Sequence, residues 1–299
     1  FKQKTAYEIG VRLVGSEMCI RDSIMENKKR ALVTCVANNK GGVGKTVTAL
    51  NLAAGLTQLK NKVLLIDLDP QGNCASGINI DPYEEEYAKF TIGDVFAKNC
   101  SLAEAIVRTK YFDLVPNNLY TYMKVKPGIP NNSLANIILA NPKISSYYDH
   151  IIIDTPPAID SITFNAALAS DIFLLVTEQS KFSMVGLDIL MTVLENMKGA
   201  SEVSKKIQSM PKPILFTMVT EKSRVGRLIQ AKIEQSTTGV ILNEKITRSI
   251  KVQESLIDGI PAVLRANNPV QEGYKALALT FHNAKLTGKI SGKTQSIRV

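Results

Sequence analysis

From Ala31 onward the chain alternates short, unbroken apolar runs with longer stretches whose apolar positions recur every three or four residues. The runs are ALVTCVA (31–37), KVLLID (62–67), FDLVP (112–116), HIIIDT (150–155), DIFLLVT (171–177) and PILFTMV (213–219). Runs of this kind, without polar alternation, belong to strands covered on both faces. The periodic stretches read as helices. Met184, Leu187, Leu190, Met191, Leu194 and Met197 form one stripe, and Val270, Tyr274, Leu277, Ala278 and Phe281 another, each the core-facing side of its helix. Strand and helix in alternation predict one α/β domain: a mostly parallel twisted sheet with helices on both faces, joined by right-handed crossovers.

Composition agrees with that picture. The chain has 299 residues, 45% of them hydrophobic, which is enough to bury a full core. No run of about eighteen uncharged apolar residues occurs, so no helix is expected to span a bilayer. Lys and Arg exceed Asp and Glu by 36 to 27, a net charge of +9, which points to a polyanionic partner. Cys19, Cys35, Cys74 and Cys100 form no CxxC pair, and His150 and His282 are the only histidines. That spacing speaks against disulfide scaffolds, zinc sites and iron–sulfur clusters.

The beginning of the chain stands apart. Phe1 to Ser23 has neither period and is followed by Met25 and a polar, basic segment. It resembles translated adaptor sequence, so residues 1–24 are expected to be foreign to the fold, with Met25 the expected start. The domain is then expected over residues 25–284, with a surface loop at 126–133 and a basic, mobile tail at 285–299.

Directly after the first apolar run stands Asn38-Asn39-Lys40-Gly41-Gly42-Val43-Gly44-Lys45-Thr46, followed by a helical stretch from Val47 to Leu59. Strand, glycine loop and helix in this order form a phosphate cradle. Gly41, Gly42 and Gly44 let the backbone N–H groups of the loop, through Val43 and on to Val47, converge on phosphate oxygens, and the helix N-terminus adds partial positive charge. Lys45 adds a full charge toward the β- and γ-phosphates, and the Thr46 hydroxyl is suited to ligate Mg2+. An ordinary phosphate loop has glycine where this chain has Asn39, and the lysine at position 40 is additional.

The variant KGGxGKT resembles the deviant Walker A signature of the ParA/MinD family of ATPases, in which the first lysine is the distinguishing residue. LLIDLDPQGN (64–73) is similar to that family's second motif and IIIDTPP (151–157) to its Walker B. The resemblance runs from Ala31 to about Asn283. It implies a P-loop NTPase fold, ATP and Mg2+ as cofactors, and these roles: Thr46 and Asp154 at the metal, Asp67 supporting the metal shell, and Asp69 orienting the attacking water. It also implies that Lys40 reaches across an ATP-dependent homodimer to the partner's phosphates, a cation in trans that couples hydrolysis to assembly.

The family divides by output. MinD-like members close with an amphipathic membrane helix, whereas Leu286, Ile290 and Ile297 make no continuous apolar face, so no membrane partner is expected. Cysteine pairs and a tyrosine-rich tail, the marks of other branches, are missing. ParA/Soj-type members bind DNA without sequence preference, work with a ParB-like stimulator and are cytoplasmic and nucleoid-associated. Arg248 and Lys251, about one helical turn apart, and the cluster Lys222, Arg224 and Arg227 ahead of the helix through Gln230 are the expected DNA contacts. The segment reads TRSIK rather than the commoner PRNVR, and Thr177 stands where the family has proline. A membrane-associated positioning ATPase and a nucleotide-switched regulatory module remain the alternatives.

Overall fold

A computed structural model describes residues 30–84, 89–125, 129–130, 133–196, 202–237 and 239–293. The expected extension at 1–24 lies outside these residues, as does most of the expected loop at 126–133. The first half runs β1 (Leu32–Ala37), α1 (Lys45–Gln58), β2 (Val63–Asp67), α2 (Asn73–Ser76), α3 (Ile92–Phe96), β3 (Val107–Arg108), β4 (Asp113–Val115), α4 (Leu119–Val125), α5 (Ser133–Leu139) and α6 (Pro142–Tyr147). The second half runs β5 (His150–Asp154), α7 (Ser161–Ala169), β6 (Ile172–Glu178), α8 (Lys181–Asn196), α9 (Glu202–Ser209), β7 (Ile214–Val219), α10 (Arg224–Ser236), β8 (Ile241–Thr247), α11 (Lys251–Ile257) and α12 (Gln271–Thr287).

The described strands form one eight-stranded sheet in the order β3, β4, β2, β5, β1, β6, β7, β8. Neighbours pair in parallel except β3, which is antiparallel to β4. Both faces are covered, as unbroken apolar strands require. In β5, Ile152 packs into the layer built by α1 and α12, where Leu52, Leu56, Tyr274 and Phe281 are buried. Ile151 and Ile153 point the other way, to Ile162 of α7 and Leu187 and Leu194 of α8. Helices α1 and α12 touch so closely that a Cβ at Gly55 would lie 2.8 Å from the Ala278 Cβ. The two stripes read from the sequence face the core in α8 and α12, Met197 lying outside the described residues.

Three expectations change. First, β8 was not foreseen, because its apolar residues Ile241, Leu242 and Ile246 are separated by Asn243, Glu244 and Lys245. Among the described strands it stands at the edge of the sheet, with β7 on one side and, on the other, a single bridge from Ile241 to Lys293, so polar residues are tolerated along the rest of its open side. β3, two residues long, carries too little pattern to be read. Second, the segment around Arg248 and Lys251 is not one helix: β8 ends at Thr247 and α11 begins at Lys251. Third, the tail expected from 285 is tied down as far as 293, since α12 continues to Thr287 and Lys293 pairs backbone N–H and C=O with Ile241.

Candidate nucleotide site

The loop after β1 crosses the carboxyl edge of the sheet beside the ends of β2, β5, β6 and β7. Gly44 is the N-cap of α1 with φ 89° and Gly42 has φ 76°, left-handed values that side chains rarely accept. With the chain turned this way, Gly41, Gly42, Gly44, Lys45, Thr46 and Val47 line a cleft of about 880 Å³, closed on its other sides by Asp69, Pro156, Asp160, Met218 and Leu256. Val43 is instead fully buried, its carbonyl accepting from the Thr217 hydroxyl at 2.7 Å. Lys45 is 6% exposed and its Nζ donates to the Lys40 carbonyl at 3.0 Å. Burial lowers the Lys45 ammonium below the usual lysine range, with Asp154 and Asp69 opposing.

The acids gather through strand register. Asp67 and Asp154 are paired positions on the parallel strands β2 and β5, and both are fully buried. Asp154 Oδ2 accepts from the Thr46 hydroxyl at 2.6 Å, while its Oδ1 has no partner among the described residues. Burial pushes the Asp154 carboxyl up to about 6 and the Asp67 carboxyl well above the usual carboxylate range. A hydroxyl, two desolvated carboxylates and a spare buried oxygen fit a hard divalent cation. Asp67 holds the following loop: its Oδ1 accepts from the Asp69 N–H at 2.9 Å and its Oδ2 from the Cys74 N–H at 3.1 Å. Asp69, 7% exposed, reaches the cleft and accepts from the Gln71 N–H at 2.9 Å through Oδ1.

Lys40 turns away from this cleft. Its Nζ is 2.5 Å from Glu178 Oε1, at the end of β6, and donates to the Ser180 and Ser183 hydroxyls at 3.1 and 3.2 Å. Burial alone would raise the Glu178 carboxyl, but the hydrogen bond and charge of Lys40 outweigh it and hold it below the usual range. The sequence reading missed Glu178, although the rule that located Asp154, an acid at the carboxyl end of a buried strand, applies to it equally. It missed Asp160 as well, which caps α7 by accepting from the Ile162 and Thr163 N–H groups and lines the cleft.

The basic candidates sit in different settings. Arg248 follows β8 and lines a second lobe of about 320 Å³ with Gly44, Val47, Met218 and Tyr274. Its guanidinium lies 3.8 Å from Glu178 Oε2. Met218, which borders both lobes, has φ 50° at an irregular register between β7 and β8, a left-handed conformation that costs a non-glycine residue energy. Lys251 pairs with Glu254 at 2.8 Å within α11. Arg224 and Arg227 lie inside α10, not ahead of it, one turn apart, with Arg227 donating to the Glu221 carbonyl at 2.8 Å. The structure therefore separates Arg248 from Lys251 and does not join either to α10 as a single helical face.

Residues 31–208 match the protein family described as an AAA domain. An uncharacterized protein of Pseudomonas putida is 32% identical over 243 residues, covering 78% of this chain and 87% of that protein. The chromosome partitioning protein ParA of Myxococcus xanthus is 27% identical over 244 residues, covering 78% and 81%. Among solved structures, a complex of Cyanothece McdA with ATP superimposes with a TM-score of 0.72 at 20% identity, over 89% of this chain and all of that one. With the match over residues 31–208, the deviant phosphate loop and these relatives, the chain belongs to the AAA-domain family and is of ParA/MinD type.

Proposed function

We propose that the protein is a Mg2+-dependent ATPase whose ATP-bound form pairs with a second copy, binds DNA without sequence preference and positions a chromosome, plasmid or other cargo, with hydrolysis stimulated by a ParB-like partner. The observation that supports this best is the Thr46 hydroxyl on buried Asp154 at the floor of a glycine-lined cleft, beside a second lysine held by exchangeable side chains. In this reading the triphosphate lies along residues 41–47 and the base enters the lobe between Met218 and Arg248. Thr46 and Asp154 would hold Mg2+, which when bound neutralises charge on the phosphate oxygens. Lys45 neutralises the β- and γ-phosphates. Asp69 orients the attacking water with the oxygen that Gln71 leaves open, and Asp67 fixes Asp69 through its backbone N–H.

For Lys40 to act on another copy's phosphates it must leave Glu178, so assembly begins with an exchange of anions: carboxylate for phosphate. Arg224, Arg227, Arg248 and Lys251 are the proposed DNA contacts, and they read backbone charge, not bases. Six to ten such phosphate contacts would cost about 10³–10⁵ in affinity between about 50 and 200 mM salt. The test pairs sedimentation with phosphate release. Wild-type protein should dimerise with ATP, and Asp69→Ala should dimerise yet hydrolyse poorly. Normal turnover by Asp69→Ala would reject the water assignment, and a wild-type protein that stays monomeric at saturating ATP would reject the reading as a whole.

A further inference from the structure

Cysteine spacing gives no hint of a metal site, yet the fold brings one cysteine to two carboxylates. Among the described residues, Asp67, Cys74 and Asp154 are fully buried and offer ligand atoms that all lie within 4.8 Å of one another. The arrangement follows from register and from one short turn. Asp67 and Asp154 are paired positions on β2 and β5, and Asp67 Oδ2 accepts the Cys74 N–H at 3.1 Å, which fixes the start of α2 so that the thiol meets Asp154. Cys74 Sγ lies 3.5 Å from Asp154 Oδ2. Asp154 Oδ1, the oxygen that also suits Mg2+, is buried with no partner among the described residues, an uncommon and costly state for a carboxylate oxygen.

We propose that Asp67, Cys74 and Asp154 form a binding site for a thiophilic divalent cation of the Zn2+ or Cd2+ class, behind the phosphate loop. Hard Mg2+ takes oxygen ligands and gains nothing from sulfur, whereas thiolates select softer ions. A tetrahedral centre with a metal–sulfur bond of about 2.3 Å and a metal–oxygen bond of about 2.1 Å sets those two ligands about 3.6 Å apart, close to the observed separation of sulfur and Asp154 oxygen. Binding replaces the S–H bond by a metal–sulfur bond and releases that proton to solvent. One thiolate and two carboxylates then face two positive charges, and Lys45, which interacts with Asp154, offsets the remaining negative charge. Occupation would engage the same Asp154 carboxylate that holds Thr46, giving this chain a sensitivity to soft ions that Mg2+ chemistry does not require. The inference does not depend on nucleotide binding and is tested without nucleotide.

The probe is Cd2+, titrated into nucleotide-free full chain carrying Cys19→Ser and Cys100→Ser, and followed by sulfur-to-metal charge-transfer absorption. Only two thiols remain in that background. The other one, Cys35, packs into the layer on the opposite side of the sheet from Cys74, so it serves as the internal control. We expect saturation at one equivalent per chain, loss of the band in Cys74→Ser, an unchanged band in Cys35→Ser, and at least tenfold weaker Cd2+ binding in Asp154→Asn, which keeps the thiol and the hydrogen-bonding shape. A band that survives Cys74→Ser, no band at all, or Asp154→Asn binding Cd2+ as tightly as its parent would overturn the site.

Discussion

Along the carboxyl edge of the sheet, the β2 and β5 side buries Asp67 and Asp154 completely and ties them to backbone N–H groups and the Thr46 hydroxyl. On the β6 to β8 side, the side chains of Lys40, Glu178 and Arg248 remain 30%, 18% and 65% exposed, and side-chain groups hold them. The two arrangements suit different tasks. A buried carboxylate fixed by backbone cannot change partners without disturbing the fold, and its desolvation is relieved when a cation arrives. An ion pair that water can still reach and that side chains alone hold is weaker than a fully buried one, so it can be traded for a stronger anion. One side is a prepared seat for a cation; the other is a set of charges waiting to be re-partnered.

Removing the mobile charge tests this contrast most severely. Lys40→Ala should lower partner-stimulated turnover by about 10³–10⁵, the range for a cation supplied in trans, while equilibrium dialysis still finds ATP bound; unchanged turnover would place Lys40 outside the chemistry. The buried side should respond in the opposite sense to loss of charge. Because the Asp154 carboxyl is raised to about 6 in the fold, above its unfolded value, the metal-free protein binds this proton more tightly when folded. Its penalty is therefore absent well below the unfolded value, grows as pH rises toward 6, and is complete above it. Asp154→Asn should then be more stable than wild type at pH above 7 without Mg2+ or nucleotide, by on the order of 3 kcal/mol, and should lose most of that advantage near pH 4, as urea midpoints at the two pH values would report. Equal midpoints at both would mean that the carboxylate is not strained.

The smallest effect belongs to the latch itself. Glu178→Gln keeps shape and hydrogen bonding but removes the charge that competes with phosphate for Lys40. Half-maximal ATP-dependent assembly should need about fivefold less nucleotide, equivalent to about 1 kcal/mol. A requirement for more nucleotide would make Glu178 a positioning aid in the assembled state instead of a restraint on leaving the unassembled one.

The same contrast decides what could be read from the sequence. Asp154 and the phosphate loop were legible because each sits at a fixed step from a buried strand, and unbroken apolar runs such as 150–155 announce such strands clearly. β8 was obscured because an edge strand may carry Asn243, Glu244 and Lys245 between its core residues, a pattern that matches neither period. Glu178 lies 138 residues from Lys40, and Cys74 lies 80 residues from Asp154. Pairings over such separations are set by strand order, which no local spacing encodes. For the basic residues, the elements that carry them differ from the reading. Arg248 and Lys251, three residues apart in a segment that resembles the family's, were expected to be able to share a helical face, whereas the chain between them leaves a strand and only then enters a helix.

On the proposed reading, Lys40 exchanges Glu178 for the triphosphate of a second copy. Sedimentation velocity of wild type and Lys40→Ala, each with Mg2+ and a non-hydrolysable ATP analogue at saturation, tests it directly. Wild type should sediment as a dimer and Lys40→Ala as a nucleotide-loaded monomer. A Lys40→Ala protein that dimerises as readily as wild type would contradict it.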